Sequence, residues 1–521
     1  MSVLVEKITE NAKKIQQDHP NAVLGAVGAA VAVLVLRAAI HSRKVEKKKD
    51  SIPLPSPRRS LPFIGHALSL YPSPHLQMIA WAEKLGPIYQ ISLGSSNVIV
   101  LNNNEVARDL LEINGQLNSD RNANVFVNLM SAHGSVFAWG DDTPYLRKCR
   151  RLLLGSVSKS AIEKKYPELH NEETLEFMQN VYKHGTQPEG CKTLQYVYLY
   201  TTNLAMRFLC GCHYKTFDDP EYRELLNMAE NFADLANYLL IEYPKSTHFL
   251  LGRLKQWAID TQAEFQKVIG RYNSIVRDAI HRGEEIDCLM TDMFKVQEKE
   301  ELSDVDLANM AATAYIAAVD TTALTMQNLI LVLVNRPEIQ SKIHDELERV
   351  VGDRMPSDQD LKDLPYLEAV VTEILRFRPA VLLNLPHSAS KRQVYNGYEI
   401  PEGTVYIHNI YGCNRDPAVY SDPDTFNPDR FYNPDVQIQR AHWTFGAGRR
   451  LCPGNQFAEK SLYLMTARLL WAFNLTNPLD ANGNKIQVPI SDVSAPITHP
   501  PDINVALVPR QKNLAEALSL A

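Results

Sequence analysis

The segment between Asp306 and Arg336 constrains the fold of this chain more than any other, because Asp320 is its only charged residue. Ser303, followed three residues later by Asp306, is a capping box that opens a helix; helix formers run on to Val334, and Asn335-Arg336-Pro337 stops them. A helix this long and apolar on all sides either spans a membrane or runs through the middle of a large core. Asn309, Gln327 and Asn328 argue against lipid, so a central core helix with one buried carboxylate is expected. Burying a carboxylate is costly unless it is paired. Thr321 and Thr322 follow Asp320 and can donate to it or hold water. An acid beside an alcohol in mid-core points to a proton path; a distant arginine that merely satisfies the acid accounts for the same pattern.

The rest of the chain supplies the body that such a helix needs. Its 521 residues are 45% hydrophobic and 22% charged, enough apolar surface to offset chain entropy. A net charge of −6, from 54 basic and 60 acidic residues, gives no support to nucleic-acid binding. The 7 cysteines are odd in number and include no Cys-x-x-Cys pair, which excludes a disulfide framework or zinc ribbon and fits a reducing compartment. Strand patterns are few: a hairpin over Pro87 to Leu101 turning at Gly94-Ser95-Ser96-Asn97, and another over Tyr398 to Ile407 broken at Glu402-Gly403. The fold class expected is mainly α with a minor β part, in one large domain.

Ahead of this body, Ala22 to Leu36 carries no charged or strongly polar side chain, and Arg37 is followed by Ala38, Ala39 and Ile40. The stretch is at the short limit for a spanning helix. Its trailing flank is basic (Arg43, Lys44, Lys47, Lys48, Lys49), so the positive-inside rule places the chain beyond residue 42 in the cytosol. A surface-lying Ala/Val helix remains the rival. Pro53-Leu54-Pro55-Ser56-Pro57 then forms a stiff connector. The organisation expected is a lumenal segment at 1–21, a transmembrane anchor at 22–40, a basic and proline-rich hinge at 41–62, and a catalytic domain at 63–521.

Near the C-terminus, Phe445-Gly446-Ala447-Gly448-Arg449-Arg450-Leu451-Cys452-Pro453-Gly454 runs straight into a helical pattern carried by Phe457, Ala458, Leu462, Met465, Leu469 and Trp471. Cys452 thus stands just ahead of a helix N-terminus, whose free N–H groups and positive end favour a thiolate. The glycines let backbone pass close to something flat, and Arg450 supplies charge for an anionic group. These are the requirements of a metal held by one thiolate inside a planar macrocycle. A cysteine packed in a Gly-rich turn is the plainer alternative.

The spacing Phe445-x-x-Gly448-x-Arg450-x-Cys452-x-Gly454 resembles the haem-binding loop of the cytochrome P-450 family at every fixed position, a coincidence on the order of one in a million per window. Glu373-Ile374-Leu375-Arg376, with Phe377-Arg378-Pro379 behind it, resembles the family's Glu-x-x-Arg helix motif. Phe426-Asn427-Pro428-Asp429-Arg430-Phe431 is similar to its meander, and Ala317-Ala318-Val319-Asp320-Thr321-Thr322 to its oxygen-activation stretch. The resemblance covers about residues 53 to 510 and implies the cytochrome P-450 fold, one haem-binding domain with a long central helix. It implies Cys452 as axial ligand of haem b, Phe445 and Arg450 in the cofactor site, and a structural cluster of Glu373, Arg376 and Arg430. Asp320 and Thr321 become the catalytic pair over the oxygen site. His387, ten residues before Gly397, and Arg150 match the groups that bind the propionates. Two positions depart from the pattern: Ala318 stands where the family usually has glycine, and Leu146 where it has tryptophan four residues before the Arg150 position.

The activity implied is that of a haem-thiolate monooxygenase, inserting one oxygen atom from O2 into a lipophilic small molecule by hydroxylation or epoxidation. The chain has no flavin or nicotinamide fingerprint, so electrons are expected from NADPH through an NADPH-cytochrome reductase, drawn to the basic segment Arg147, Lys148, Arg150 and Arg151. The implied location is the endoplasmic reticulum membrane, single-pass, with the catalytic domain cytosolic. Pocket segments are expected at Val125 to Phe137, Tyr315 to Ala318, Val381 to Leu385 and Ser491 to Ile497. The run from Pro386-His387 to Asn396-Gly397-Tyr398 is similar to filamentous-fungal members of secondary metabolism. Two other classes stay open: a non-oxygenating isomerase or dehydratase, and a haem sensor without catalysis.

Overall fold

The computed structural model describes residues 52–58, 60–61, 64–94, 96–121, 125–130, 138–236, 251–284, 286–433, 440–490 and 500–520. The expected anchor at 22–40 and the expected pocket stretches 131–137 and 491–497 lie outside the described residues. From Ile52 on, the proline-rich segment is fastened to the body: the Ile52 N–H donates to Gly397 O at 3.3 Å, and the Gln90 N–H donates to Pro55 O at 2.8 Å.

Helix α1 (Pro74–Leu85) leads into the expected hairpin of β1 (Ile88–Leu93) and β2 (Ser96–Leu101), paired from Ile88↔Leu101 to Leu93↔Ser96, so that Ser96 and Asn97, expected in the turn, belong to the second strand. Then come α2 (Pro144–Val157), α3 (Pro167–Gly185), β3 (Cys191–Lys192), α4 (Thr193–Cys210), α5 (Pro220–Ala236), α6 (Gly252–His281) and the central α7 (Asp304–Val334). Beyond it lie α8 (Pro337–Val350), α9 (Pro365–Phe377), β4 (His387–Ser388), β5 (Gln393–Tyr395), β6 (Tyr398–Ile400) and β7 (Val405–His408). α10 (Asn455–Ala472), β8 (Phe473–Thr476) and β9 (Asn504–Pro509) close the body. The strands form three small sheets, ordered β1-β2-β7-β4, β3-β9-β8 and β5-β6.

The second expected hairpin is not formed. Tyr398–Ile400 pairs backwards with Gln393–Tyr395, whereas Val405–His408 leaves to lie parallel to β2, Val98 opposite Val405. Two turn signals competed, and Asn396-Gly397 prevailed. Both residues take positive φ, 48° and 81°, the two-residue geometry that matches strand twist. Glu402-Gly403 instead bends the chain toward the other sheet.

Helix α7 begins with the expected box: Ser303 Oγ accepts from the Asp306 N–H at 3.2 Å and Asp306 Oδ2 accepts from the Ser303 N–H at 2.8 Å. It packs against α4, α6, α8, α9 and α10 and is buried along most of its length. The amide oxygens of Asn309 and Gln327 are held inside protein, not by lipid. Gln262 and Gln266 of α6 donate to Asn309 Oδ1 at 3.2 and 2.5 Å, and Thr193 of α4 donates to Gln327 Oε1 at 2.9 Å.

Behind the C-terminal loop sits a buried ion cluster. Glu373 and Arg376 are wholly buried, and Arg430 is nearly so. Arg376 donates to both Glu373 oxygens at 2.7 and 2.8 Å, Arg430 Nε donates to Oε1 at 3.2 Å, and the Asn427 N–H adds a bond of 2.8 Å. The spare guanidinium donors end on carbonyls of Asn414, Pro423 and Ser421. Asn414 carries the tie onward, its Oδ1 accepting from the Trp443 N–H at 2.8 Å, just before the loop begins.

Removing Glu373 leaves two buried guanidiniums facing each other, a loss of about 3–5 kcal/mol. Glu373→Ala is expected to give little or no haem-loaded protein when holoprotein is measured by absorbance after expression. A normal yield would show that the cluster does not hold the loop.

Candidate active site

The loop from Phe445 to Gly454 is shaped by close backbone approaches. Gly446 and Gly448 have φ of +76° and +52°, and a Cβ on Gly448 would come within 2.1 Å of Leu111 O, so a side chain is excluded on both counts. The Cys452 N–H donates to Phe445 O at 2.8 Å, which closes the loop on itself. Phe445 is half-buried, edging against His442 with ring centroids 5.6 Å apart.

Cys452 is half-buried, with Gly454, the N-cap of α10, directly behind it. Burial pushes the thiol up, against the opposing pull of the Gly454 N–H and of Arg150. The helix end alone therefore does not make a thiolate here; a metal cation at the sulfur would supply the missing stabilisation.

Beside the loop, three arginines converge. Arg450 is buried and donates to Ser119 O at 2.7 Å and to Gly140 O. Arg150 Nη2 donates to Leu451 O at 2.7 Å, next to Cys452. Arg121 donates to Ala138 O at 3.2 Å, Leu385 O at 2.8 Å and Pro386 O at 3.1 Å. Among the described residues, these hydrogen bonds all end on neutral carbonyls. Burial lowers the Arg121 guanidinium well below its usual value, and the charges of Arg450 and Arg150 lower it further, with Asp141 opposing. Arg450 is lowered to about 10 by burial and by Arg150. Like charges held this close in the interior suit a dianionic rim. Arg121 was not marked by the sequence: it stands in the polar run Asn118-Ser119-Asp120-Arg121, and no spacing signals that it folds against Pro386.

His387 was expected to bind an anion, and its geometry does not support that. It is buried, its Nδ1–H donates to Asn118 O at 2.8 Å, and its other nitrogen lies 3.4 Å from the Asn384 amide. Burial and Arg121 push its pKa well down, so the neutral ring has no N–H left to offer. The basic segment of α2 is also less open than its charges suggest. Arg150 turns inward, Lys148 and Arg151 are held by Glu300, and Arg147 pairs with Asp142. Leu146 is buried in the core where an indole donor was missing from the pattern.

Helix α7 has one open stripe. Ala317 is exposed and Ala314, Ala318 and Thr321 are half-buried, in a helix otherwise buried on nearly every side. The spacing i, i+3, i+4, i+7 puts them on one face, so a space borders that face. Ala314, Ala318 and Phe445 pack against the same core cluster. Thr321 Oγ1 donates to Ala317 O at 2.7 Å, which fixes the hydroxyl over the stripe. Asp320 is 7% exposed, on the adjacent face. A half-buried thiol, a cationic rim and an alanine-lined face together fit a flat, metal-centred, carboxylate-bearing group such as haem.

Comparison with known proteins bears on the family and the fold. The Cytochrome P-450 family matches residues 55–498. Cytochrome P-450 monooxygenase 231 of Postia placenta is 29% identical, covering 89% of this chain and 91% of its own. Cytochrome P-450 monooxygenase fogE of Aspergillus ruber is 27% identical, covering 93% and 92%, and monooxygenase virE of Hypocrea virens is 29% identical, covering 91% and 88%. A zebrafish cytochrome P-450 solved with abiraterone shares the fold, with a TM-score of 0.71 at 23% identity over 84% of this chain and 99% of that one. With the family matched across most of its length, the chain belongs to the cytochrome P-450 family, haem-thiolate oxidoreductases that act as monooxygenases.

Proposed function

We propose that this protein hydroxylates or epoxidises a lipophilic small molecule in fungal secondary metabolism, with haem b held by Cys452 and electrons delivered from NADPH by a membrane-bound reductase. The observation that carries the reading is the convergence of Arg121, Arg150 and Arg450 on carbonyl partners beside the Cys452 loop. When bound, haem supplies activation of dioxygen and transfer of one oxygen atom, with the thiolate donating electron density to the iron. Cys452 holds the metal, and the three arginines hold the carboxylates at the rim, the part expected of His387 passing to Arg121. Phe445 and the glycines of the loop keep water from the sulfur. Thr321 Oγ1, which donates to Ala317 O in the resting protein, turns that one proton to the open face of α7 for reaction, and Asp320 replenishes it. Retention of this acid–alcohol pair favours oxygenation over peroxide rearrangement or mere haem sensing. The alanines of the stripe and the buried Leu382 and Leu383 suit an apolar substrate. The segment 22–40 anchors the chain in the endoplasmic reticulum membrane, leaving the body cytosolic.

The reduced, CO-bound protein is expected to show the red-shifted Soret band of thiolate ligation, and Cys452→Ala to abolish it while Cys413→Ala leaves it intact. A band that survives Cys452→Ala would remove the ligand assignment. Thr321→Ala is expected to keep haem and the CO spectrum yet to lower product formed per NADPH and to raise released hydrogen peroxide, once a substrate is identified by mass spectrometry of cells with and without the protein. Equal coupling in mutant and wild type would take Thr321 out of the reaction. Deleting residues 1–50 should release much of the holoprotein from membranes in a flotation assay; loss of all folded holoprotein would show instead that the segment packs on the body.

A further inference from the structure

Helix α2 passes directly against the C-terminal loop, since Arg150 donates to Leu451 O at 2.7 Å, next to Cys452. Its outer surface carries Arg147 and Arg151, one helical turn apart and so on one face, with 54% and 63% of their side chains exposed. The carboxylates that meet them are set deeper. Asp142 lies 3.5 Å from Arg147 and 3.2 Å from Arg449 of the loop, and Glu300 lies 2.7 Å from Arg151. The two acidic side chains are only 15% and 14% exposed. Guanidiniums therefore face the solvent while the charges that oppose them are mostly covered.

Glu300 reaches α2 from another part of the chain, the turn between the helix Leu289–Val296 and α7. That turn is firmly built. The Glu300 N–H donates to Val296 O at 2.9 Å and the Leu302 N–H to Gln297 O at 3.0 Å. The Gln297 amide donates to Leu302 O at 3.1 Å and to Asp304 Oδ1 at 2.8 Å. Glu301 takes a φ of 51°, a left-handed conformation that is costly for a residue with a Cβ. Two further ties bind the turn to α2 whatever the charge of Glu300: Lys148 Nζ donates to the Glu300 carbonyl, and Tyr145 donates to Asp306 Oδ1 at 2.7 Å. The carboxylate of Glu300 is thus held in place against Arg151.

An arginine that already faces a carboxylate attracts an incoming anion less, because the resident charge repels the newcomer. Arg151 gives Glu300 one nitrogen, Nη2, and a guanidinium has five N–H donors, so a second carboxylate can still be received. We propose that Glu300 is an internal competitor for the acidic face of the electron donor. It occupies Arg151 on the docking surface of α2, and it keeps docking weak enough for the donor to leave after each delivery. The donor's carboxylate either displaces Glu300 from the guanidinium or shares it, and in both cases the charge of Glu300 opposes the approach. The inference rests on α2 being the surface to which the reductase is drawn.

The test uses the full-length holoprotein with a microsomal flavin reductase and NADPH under CO. It reads the reductase concentration that gives the half-maximal rate of appearance of the reduced CO band. Haem content and reduction by dithionite first establish that each variant has an intact site. Glu300→Gln preserves the size of the side chain and leaves Lys148 on the carbonyl. It is expected to lower the half-saturating concentration about threefold at low ionic strength, the scale of one exposed ion pair. The gain should vanish in about 1 M salt, where charges are screened within ~3 Å. The double variant Arg147→Gln/Arg151→Gln should raise the half-saturating concentration about tenfold. A value in Glu300→Gln equal to or above that of the wild type, with the double variant impaired, would overturn the inference and leave the docking surface in place. A gain in Glu300→Gln that persists at high salt would overturn it as well, because the effect would not be one of charge. An unimpaired double variant would remove the docking surface itself.

Discussion

Glu373 is a carboxylate with no access to water, and the placement of the C-terminal loop depends on how its charge is neutralised. Two guanidiniums and a backbone N–H converge on it from two chain segments: α9, and the stretch that holds Asn427 and Arg430. Neither segment can withdraw without leaving charge in the interior, so they are ordered together. The arginines then extend the order outward through carbonyls, and Arg376 reaches Asn414, whose side chain fixes the Trp443 N–H. A local i, i+3 pair on a helix thereby becomes the foundation of a loop that lies far from it in sequence.

The front of the loop shows the opposite electrostatics. Arg150 and Arg450 depress Arg121, Arg150 also depresses Arg450, and burial raises the Cys452 thiol. The clustered guanidiniums cost free energy in the protein alone, and burial opposes ionisation of the thiol. A ligand with a cation at its centre and anions at its rim relieves both at once. Binding such a ligand is therefore linked to stability, because only the folded chain presents the two complementary charges at the right separation. The back of the loop satisfies itself, whereas the front is built to be satisfied by something else.

Legibility in the sequence divides along the same line. The capping box, the single charge of α7, the Glu373–Arg376 spacing and the Cys452 loop are local patterns, and each appears where its spacing predicts. The Ser96–Leu101 strand was legible because a continuous β-branched apolar run, Val98 to Val100 with Leu101, follows a turn signal, and a two-residue turn decided Tyr395↔Tyr398 over the longer pairing. Arg121 was not legible. It is defined by carbonyls of Leu385 and Pro386. Nothing in its flanking residues encodes such partners. His387 shows the converse: its position in sequence suggested an anion ligand, but its N–H is consumed by the carbonyl of Asn118.

Helix α7 ties these observations together because its faces have different work. Its buried faces carry amides that reach α4 and α6, which hold it in rotation. With rotation held, Thr321 must look onto the open stripe and Asp320 onto the adjacent, buried face. Ala318 contributes to the same end. Glycine at a helix interior costs about 1 kcal/mol relative to alanine, so alanine here keeps α7 regular through the very turn where Thr321 Oγ1 donates back to Ala317 O. The extra methyl also narrows the space beside that hydroxyl. A firm helix and a tighter face together hold the Thr321 hydroxyl against Ala317 O at the edge of the open stripe.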